Sequence, residues 1–264
     1  MSIVSRLQAY WSLLKDSPLN FLLYLIFLAV AILLSLILHE ISHGYAAMLC
    51  GDPTAKMLGR LSLNPSKHLD PVGTVCMVLF GIGWAKPVPI NPRNFSEPRK
   101  DDFLVSIAGI AMNLTLFLLS ITLSVALTRV VWTSLTLEWY QASELIGFQQ
   151  SYFFYTSSSR EVLDGLIRSP LAAWIQRFLL MMSQINLSLA IFNFFPIPPL
   201  DGFHILNDTL LRGKLRLSRK AFQLTQFVVI LLCITGALSY VHSFLYDKVF
   251  DAFLELLLKI TGLA

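Results

Sequence analysis

The chain has 264 residues, a formal net charge of +4 and a pI near 9.0, and is 55% hydrophobic but only 14% charged. A soluble domain carries about 25% charged residues, so this composition argues against a soluble enzyme and makes a membrane protein the starting class. The positive charge is not interleaved with aromatics in a polar context, which argues against nucleic acid, and three widely spaced cysteines (Cys50, Cys76, Cys233) suggest neither a disulfide framework nor a thiolate metal site.

Residues 1–17 read as an interfacial lead-in. The uncharged run from Ser17 to Leu38 is longer than a signal-peptide core and is followed by no small-residue cleavage site, so it reads as a retained span. A membrane-crossing helix takes about 20 apolar residues. Four stretches meet that length: about Leu19 to Cys50, Phe103 to about Thr128, about Leu171 to Phe195 and Ala221 to about Tyr246. Val249 to Leu263 is shorter and carries Asp251, Glu255 and Lys259, as an interfacial helix or a marginal span would. Pro71 to Ala85 is uncharged but too short to cross, and fits a re-entrant element packed against protein. Trp84 to Asn91 follows it; alternation and prolines make it an edge strand or extended loop. The expected fold class is an all-α polytopic membrane protein. It has four to six transmembrane helices and a short re-entrant or β-hairpin-like segment near residues 71–92. Residues 1–264 form one domain, with its core at about 19–205 and C-terminal helices at 221–264.

Loop charge sets the orientation. Lys and Arg crowd the 51–70, 86–102 and 212–220 loops, whereas the longer 131–168 loop has only Arg160 and Arg168. The first three loops are therefore expected in the cytoplasm and the last outside. This places the end of the first span, with His39 and His43, toward the cytoplasmic side of a cell membrane.

That end reads His39-Glu40-Ile41-Ser42-His43. Residues four apart share a helix face, so the two imidazoles can meet one metal ion, and Glu40 stands beside them to take a proton from water. Zinc suits this donor set and lowers the pKa of a bound water to about 7. A single histidine at a helix end is ordinarily a packing residue. Three ionisable groups in five residues, after 22 uncharged ones, signal function because charge within a membrane is costly. A catalytic zinc needs a third ligand and an open position. Asp201 is the candidate: the third span breaks at Pro196, Pro198 and Pro199, and Gly202 lets the chain turn. An Asp-Gly there also suits a plain helix-ending turn; its depth, matching that of the histidines, selects the ligand.

The pair HEISHG and NFFPIPPLDG resembles the site-2 protease (M50) family of intramembrane zinc metalloproteases. Asn64-Pro65 to Gly73 and Gly83-Trp84-Ala85-Lys86-Pro87-Val88-Pro89 are similar to two further family segments. The likeness runs from about residue 35 to 205 and is to the compact subgroup with neither a PDZ nor a CBS domain. It implies Zn2+ as cofactor, His39, His43 and Asp201 as its ligands, and Glu40 as general base. It also implies a substrate-contacting role for Asn193, whose amide could polarise a carbonyl; a helix–helix hydrogen bond is the alternative. Asn113 and His68 are read as structural, and His204 and His242 are left out of the site. Partners implied are a transmembrane protein or signal-peptide remnant as substrate, and the bilayer. The competing class is a non-catalytic membrane protein, either a helix-binding pseudo-protease or a zinc transporter.

Overall fold

The computed structural model describes residues 3–71, 85–215, 217–235 and 237–263. The candidate re-entrant element lies almost wholly outside them. The described chain is all-α. In order come α1 (Ile3–Asp16), α2 (Pro18–Leu49), α3 (Thr54–Met57), α4 (Pro98–Val131), α5 (Ser134–Trp139), α6 (Ala142–Ser151), α7 (Ser157–Gly165), α8 (Pro170–Phe194), α9 (Asp201–Thr209), α10 (Arg219–Thr235) and α11 (Ala237–Thr261). Among the described residues the only β pairings are two isolated bridges, Leu69 with Ala85 and Trp132 with Ile167. Of the expected hairpin-like segment, only the Leu69–Ala85 bridge and the extended residues after it are seen.

Three of these helices, α2, α4 and α8, are long and apolar enough to cross a membrane, and the chain is a multi-pass membrane protein. Each starts at a proline, which suits the first helical turn because its missing N–H would have no partner there. Gly51, at φ +100°, ends α2 in the left-handed conformation that only glycine takes cheaply.

One expectation about the chain's course is corrected. The stretches 221–246 and 249–263 do not divide at residue 247: α11 runs unbroken from Ala237 to Thr261. Charged side chains interrupt hydrophobicity, not helix, and this stretch has no glycine or proline. The 131–168 loop is folded. Thr133 caps α5, a Gln141–Glu144 capping box opens α6, and Thr156 caps α7.

The chain forms two compact units. The first comprises residues 1–32, 116–185 and 246–264, and the second residues 33–115 and 186–245. In the first, Trp132 and Leu145 pack with Ala173, and Tyr152 and Phe153 with Leu13, Phe27 and Trp174. Burying such side chains stabilises by about 1.5–3 kcal/mol each. In the second, Ala47 of α2 packs with Phe95 and Val105. Buried Asp52, just after α2, accepts hydrogen bonds from Asn91 N and Asn94 Nδ2, both at 2.7 Å, and so ties residues 91–94 to the end of α2. Burial would raise its carboxyl's pKa, but the hydrogen bonds from Thr54 together with those from Asn91 and Asn94 outweigh this and hold it below the usual range.

Candidate metal centre

All the residues discussed here belong to the second unit. His39 and His43 stand one turn apart on α2, both buried, with ring centroids 4.5 Å apart. Their Nε2 atoms are 2.9 Å apart, and each lies 3.4 Å from Asp201 Oδ2. Asp201 is the first residue of α9; the turn Phe195–Leu200 between α8 and α9 carries it to the two histidines. Together the three offer ligand atoms within 4.8 Å of one another.

Two glycines permit this convergence. A Cβ on Gly109 of α4 would lie 2.4 Å from His43 Nε2 and 2.6 Å from His39 Cε1. A Cβ on Gly202 would lie 2.2 Å from the Phe194 carbonyl oxygen, where α9 folds back on the end of α8. Any side chain at either position would push a ligand away.

The donor set fits zinc. His43 Nδ1–H donates to Val105 O at 2.7 Å, which leaves the Nε2 lone pair facing the centre. Ligand atoms held about 2.1 Å from one ion at tetrahedral angles lie about 3.4 Å apart, the separation of both nitrogens from Asp201 Oδ2. At 3.4 Å these contacts are longer than hydrogen bonds, and Asp201 Oδ2 is a buried atom with no hydrogen-bond partner among the described residues. An unpaired buried carboxylate oxygen is costly unless a cation meets it. Burial alone would raise the Asp201 carboxyl's pKa, but the facing imidazoles hold it below the ordinary range.

Glu40, half-buried on the next α2 position, accepts the backbone N–H of Val88 through Oε2 at 2.7 Å. Asn193 is half-buried in the last turn of α8, and its side chain makes no hydrogen bond among the described residues. Asn113, one turn beyond Gly109 on α4, is fully buried with neither amide atom hydrogen-bonded among the described residues. His68 anchors a loop as expected, its Nε2–H donating to Ser62 O at 2.7 Å.

One ionic contact near the site had no sequence signal. His204, one turn after Asp201, meets Asp102 of α4 through Nδ1 at 3.0 Å. Arg99 Nε donates to Asp208 O at 3.1 Å, so α9 is tied to the start of α4 twice. Asp102 raises the His204 pKa; burial and the same carboxylate push Asp208 up to about 6.

Comparison with known proteins gives this geometry a lineage. Residues 27–236 match the model of peptidase family M50. The protein named "Putative zinc metalloprotease YwhC" of Bacillus subtilis (strain 168) is 35% identical over 224 residues, which cover 85% of this chain and 86% of its own. "Putative zinc metalloprotease Rip2" of Mycolicibacterium smegmatis (strain ATCC 700084 / mc(2)155) is 26% identical over 227 residues, covering 84% and 72%. No solved structure matches the chain. With four-fifths of its length matched, the chain belongs to peptidase family M50 and is a membrane metalloprotease with Zn2+ as its cofactor.

Proposed function

We propose that this protein hydrolyses peptide bonds within or near transmembrane segments of membrane proteins or signal-peptide remnants, and that residues 1–264 act as one intramembrane protease domain. His39, His43 and Asp201 hold the zinc, Glu40 is the general base and Asn193 contacts the substrate. The observation that carries this reading is the convergence of three buried ligand atoms, all within 4.8 Å of one another, at the end of a helix long enough to cross a membrane. The lysine- and arginine-rich loops support a site that opens toward the cytoplasm.

Held by the three ligands, zinc supplies a Lewis acid that polarises a carbonyl and brings the pKa of water down to about 7. The chain's residues do the rest. Glu40 takes a proton from the attacking water and returns it to the leaving amine, so that the carboxylate ends the cycle unprotonated. Asn193, whose amide has no hydrogen bond among the described residues, lies on α8 and is suited to donate to the carbonyl oxygen as negative charge develops there.

A helical substrate hides its carbonyls in hydrogen bonds and must unwind before cleavage. The 84–91 segment, of which 85–91 is described, is suited to receive the unwound strand by β-addition. Pro87 and Pro89 lack N–H groups, and the N–H groups of Lys86, Val88 and Asn91 are engaged by His68 O, Glu40 and Asp52. Among the described residues this leaves the Ile90 N–H and the carbonyls of residues 87–90, the Lys86 carbonyl being taken by Arg60, so the edge offers mostly carbonyls and the substrate strand must bring most of the N–H donors. Cysteine crosslinking from residues 86–91 tests the edge; absence of substrate contact under active conditions removes it. The mechanism is tested by cleavage of a model transmembrane substrate with wild type and Glu40→Gln. Loss of at least 100-fold in the variant is expected, and equal rates would refute the role of Glu40.

A further inference from the structure

The α2 helix turns two different stripes to its surroundings. His39 and His43 form one; Glu40 and Gly44, one residue on and so about 100° around the helix, form the other. The first stripe meets Val105 O and the Gly109 backbone. The second meets the extended residues 85–91. Val88 is buried there, its Cγ1 3.0 Å from the place a Cβ on Gly44 would occupy, with Leu61 Cδ2 at 2.7 Å. The bare backbone of Gly44 thus lets Val88 settle against α2, one turn from Glu40, where its N–H reaches Glu40 Oε2 at 2.7 Å.

Three features make this contact more than a loop tether. Val88 lies between Pro87 and Pro89, so it carries the sole N–H of those three residues, and Glu40 receives it. The segment is braced on both sides: Lys86 N donates to His68 O at 2.8 Å, Arg60 donates to Lys86 O at 2.8 Å, and Asn91 N donates to Asp52 at 2.7 Å. The scaffold therefore sets where the Val88 N–H points. Finally, the bond distinguishes the two carboxylate oxygens. Oε2 is engaged, whereas Oε1 has no hydrogen bond among the described residues and is left to accept a proton.

We infer that the Val88 backbone N–H is the positioning donor of the catalytic base, and that it makes the alignment of Glu40 depend on how the 85–91 segment is seated. This rests on the assignment of Glu40 as base and of the segment as substrate edge. Through this bond, a substrate strand pairing with the outer carbonyls of the segment acts on the base at the moment the scissile bond arrives. Gly44 is then a second positioning residue, because it admits Val88 to its seat.

The test removes the N–H and keeps the Val88 side chain. The full-length protein is made with the α-hydroxy analogue of valine at position 88, which keeps the side chain and replaces the N–H by an ester oxygen. Cleavage of a model transmembrane substrate and zinc content are measured beside wild type, Val88→Thr, Gly44→Ala and Glu40→Gln. A hydrogen bond to a charged group is worth about 10–100-fold. The ester is therefore expected to lower kcat about 10–100-fold, with KM within threefold and zinc content equal to wild type. Val88→Thr, which keeps the N–H but brings a hydroxyl into a buried seat, is expected to lose less than the ester, and Gly44→Ala to follow the ester. Wild-type kcat in the ester protein would overturn the inference, as would equal losses in ester and Val88→Thr, or loss of zinc together with activity. Glu40→Gln separates the levels. If it is inactive while the ester is fully active, only this inference falls; if it is fully active, the assignment of the base falls.

Discussion

In the first unit, Arg177 buries its guanidinium 3.2 Å over the Tyr152 ring and 4.5 Å from that of Trp174, donates to Gln149 Oε1 at 2.6 Å, and pairs with Asp164 at 3.3 Å. Arg160 is buried as deeply and is bound by Asp16 and by the carbonyls of Phe153 and Tyr155. In the second unit, His39, His43 and Asp201 gather in similar burial, yet Asp201 Oδ2 and His39 Nδ1 have no hydrogen-bond partner among the described residues. A buried charge that is fully paired holds structure together. A buried ionisable cluster left incomplete by the protein costs stability unless something else completes it. The first arrangement staples short helices to α8; the second is a site.

The comparison breaks most visibly at Gly109. Gly109→Ala would place a methyl group within 2.6 Å of both imidazoles, and a displacement of about 1 Å is enough to cost about 100-fold in rate. A fall of at least that size in kcat/KM, with weaker zinc retention against a chelator and little change in Tm, is expected. Normal zinc retention would show that the two histidines are not held by this contact. Arg177 tests the other side. Arg177→Ala leaves Gln149 without its partner and removes the aromatic contacts, so a loss of about 2–4 kcal/mol in stability is expected with zinc content unchanged. Arg177→Met, which fills the same space, should recover part of it. Loss of zinc in a folded Arg177→Ala protein would erase the distinction between the units.

The smallest effect belongs to His204. Its pKa is raised in the fold by Asp102, so the bond stabilises fully below the unfolded value of about 6.5 and is lost as pH rises through the higher folded value. Thermal melts of wild type and His204→Gln should therefore differ more at pH 6 than at pH 9. A difference that grows with pH would reverse the assignment.

Much of this was legible in the sequence, for a local reason. The H-E-x-x-H spacing is a helix-face pattern, the uncharged run before it gives depth, and the prolines before Asp201 announce the break that presents it. Contacts between residues far apart in the chain were not legible. Nothing local says that Gly109 packs on the two histidines. Val88 is 48 residues from Glu40, and the prolines around it suggested only an edge. The partner of His204, Asp102, is 102 residues away in the chain, and no local pattern links the two. The short helices α5, α6 and α7 carry good capping signals but fall below the length that marks a span, and an apolar-length criterion passes over them.

The most direct test of the account is the metal content of purified protein, measured for wild type, His39→Ala and Arg177→Ala together. The account expects about one zinc per chain in wild type and Arg177→Ala and almost none in folded His39→Ala. A folded His39→Ala protein that retains a full equivalent of zinc would contradict it.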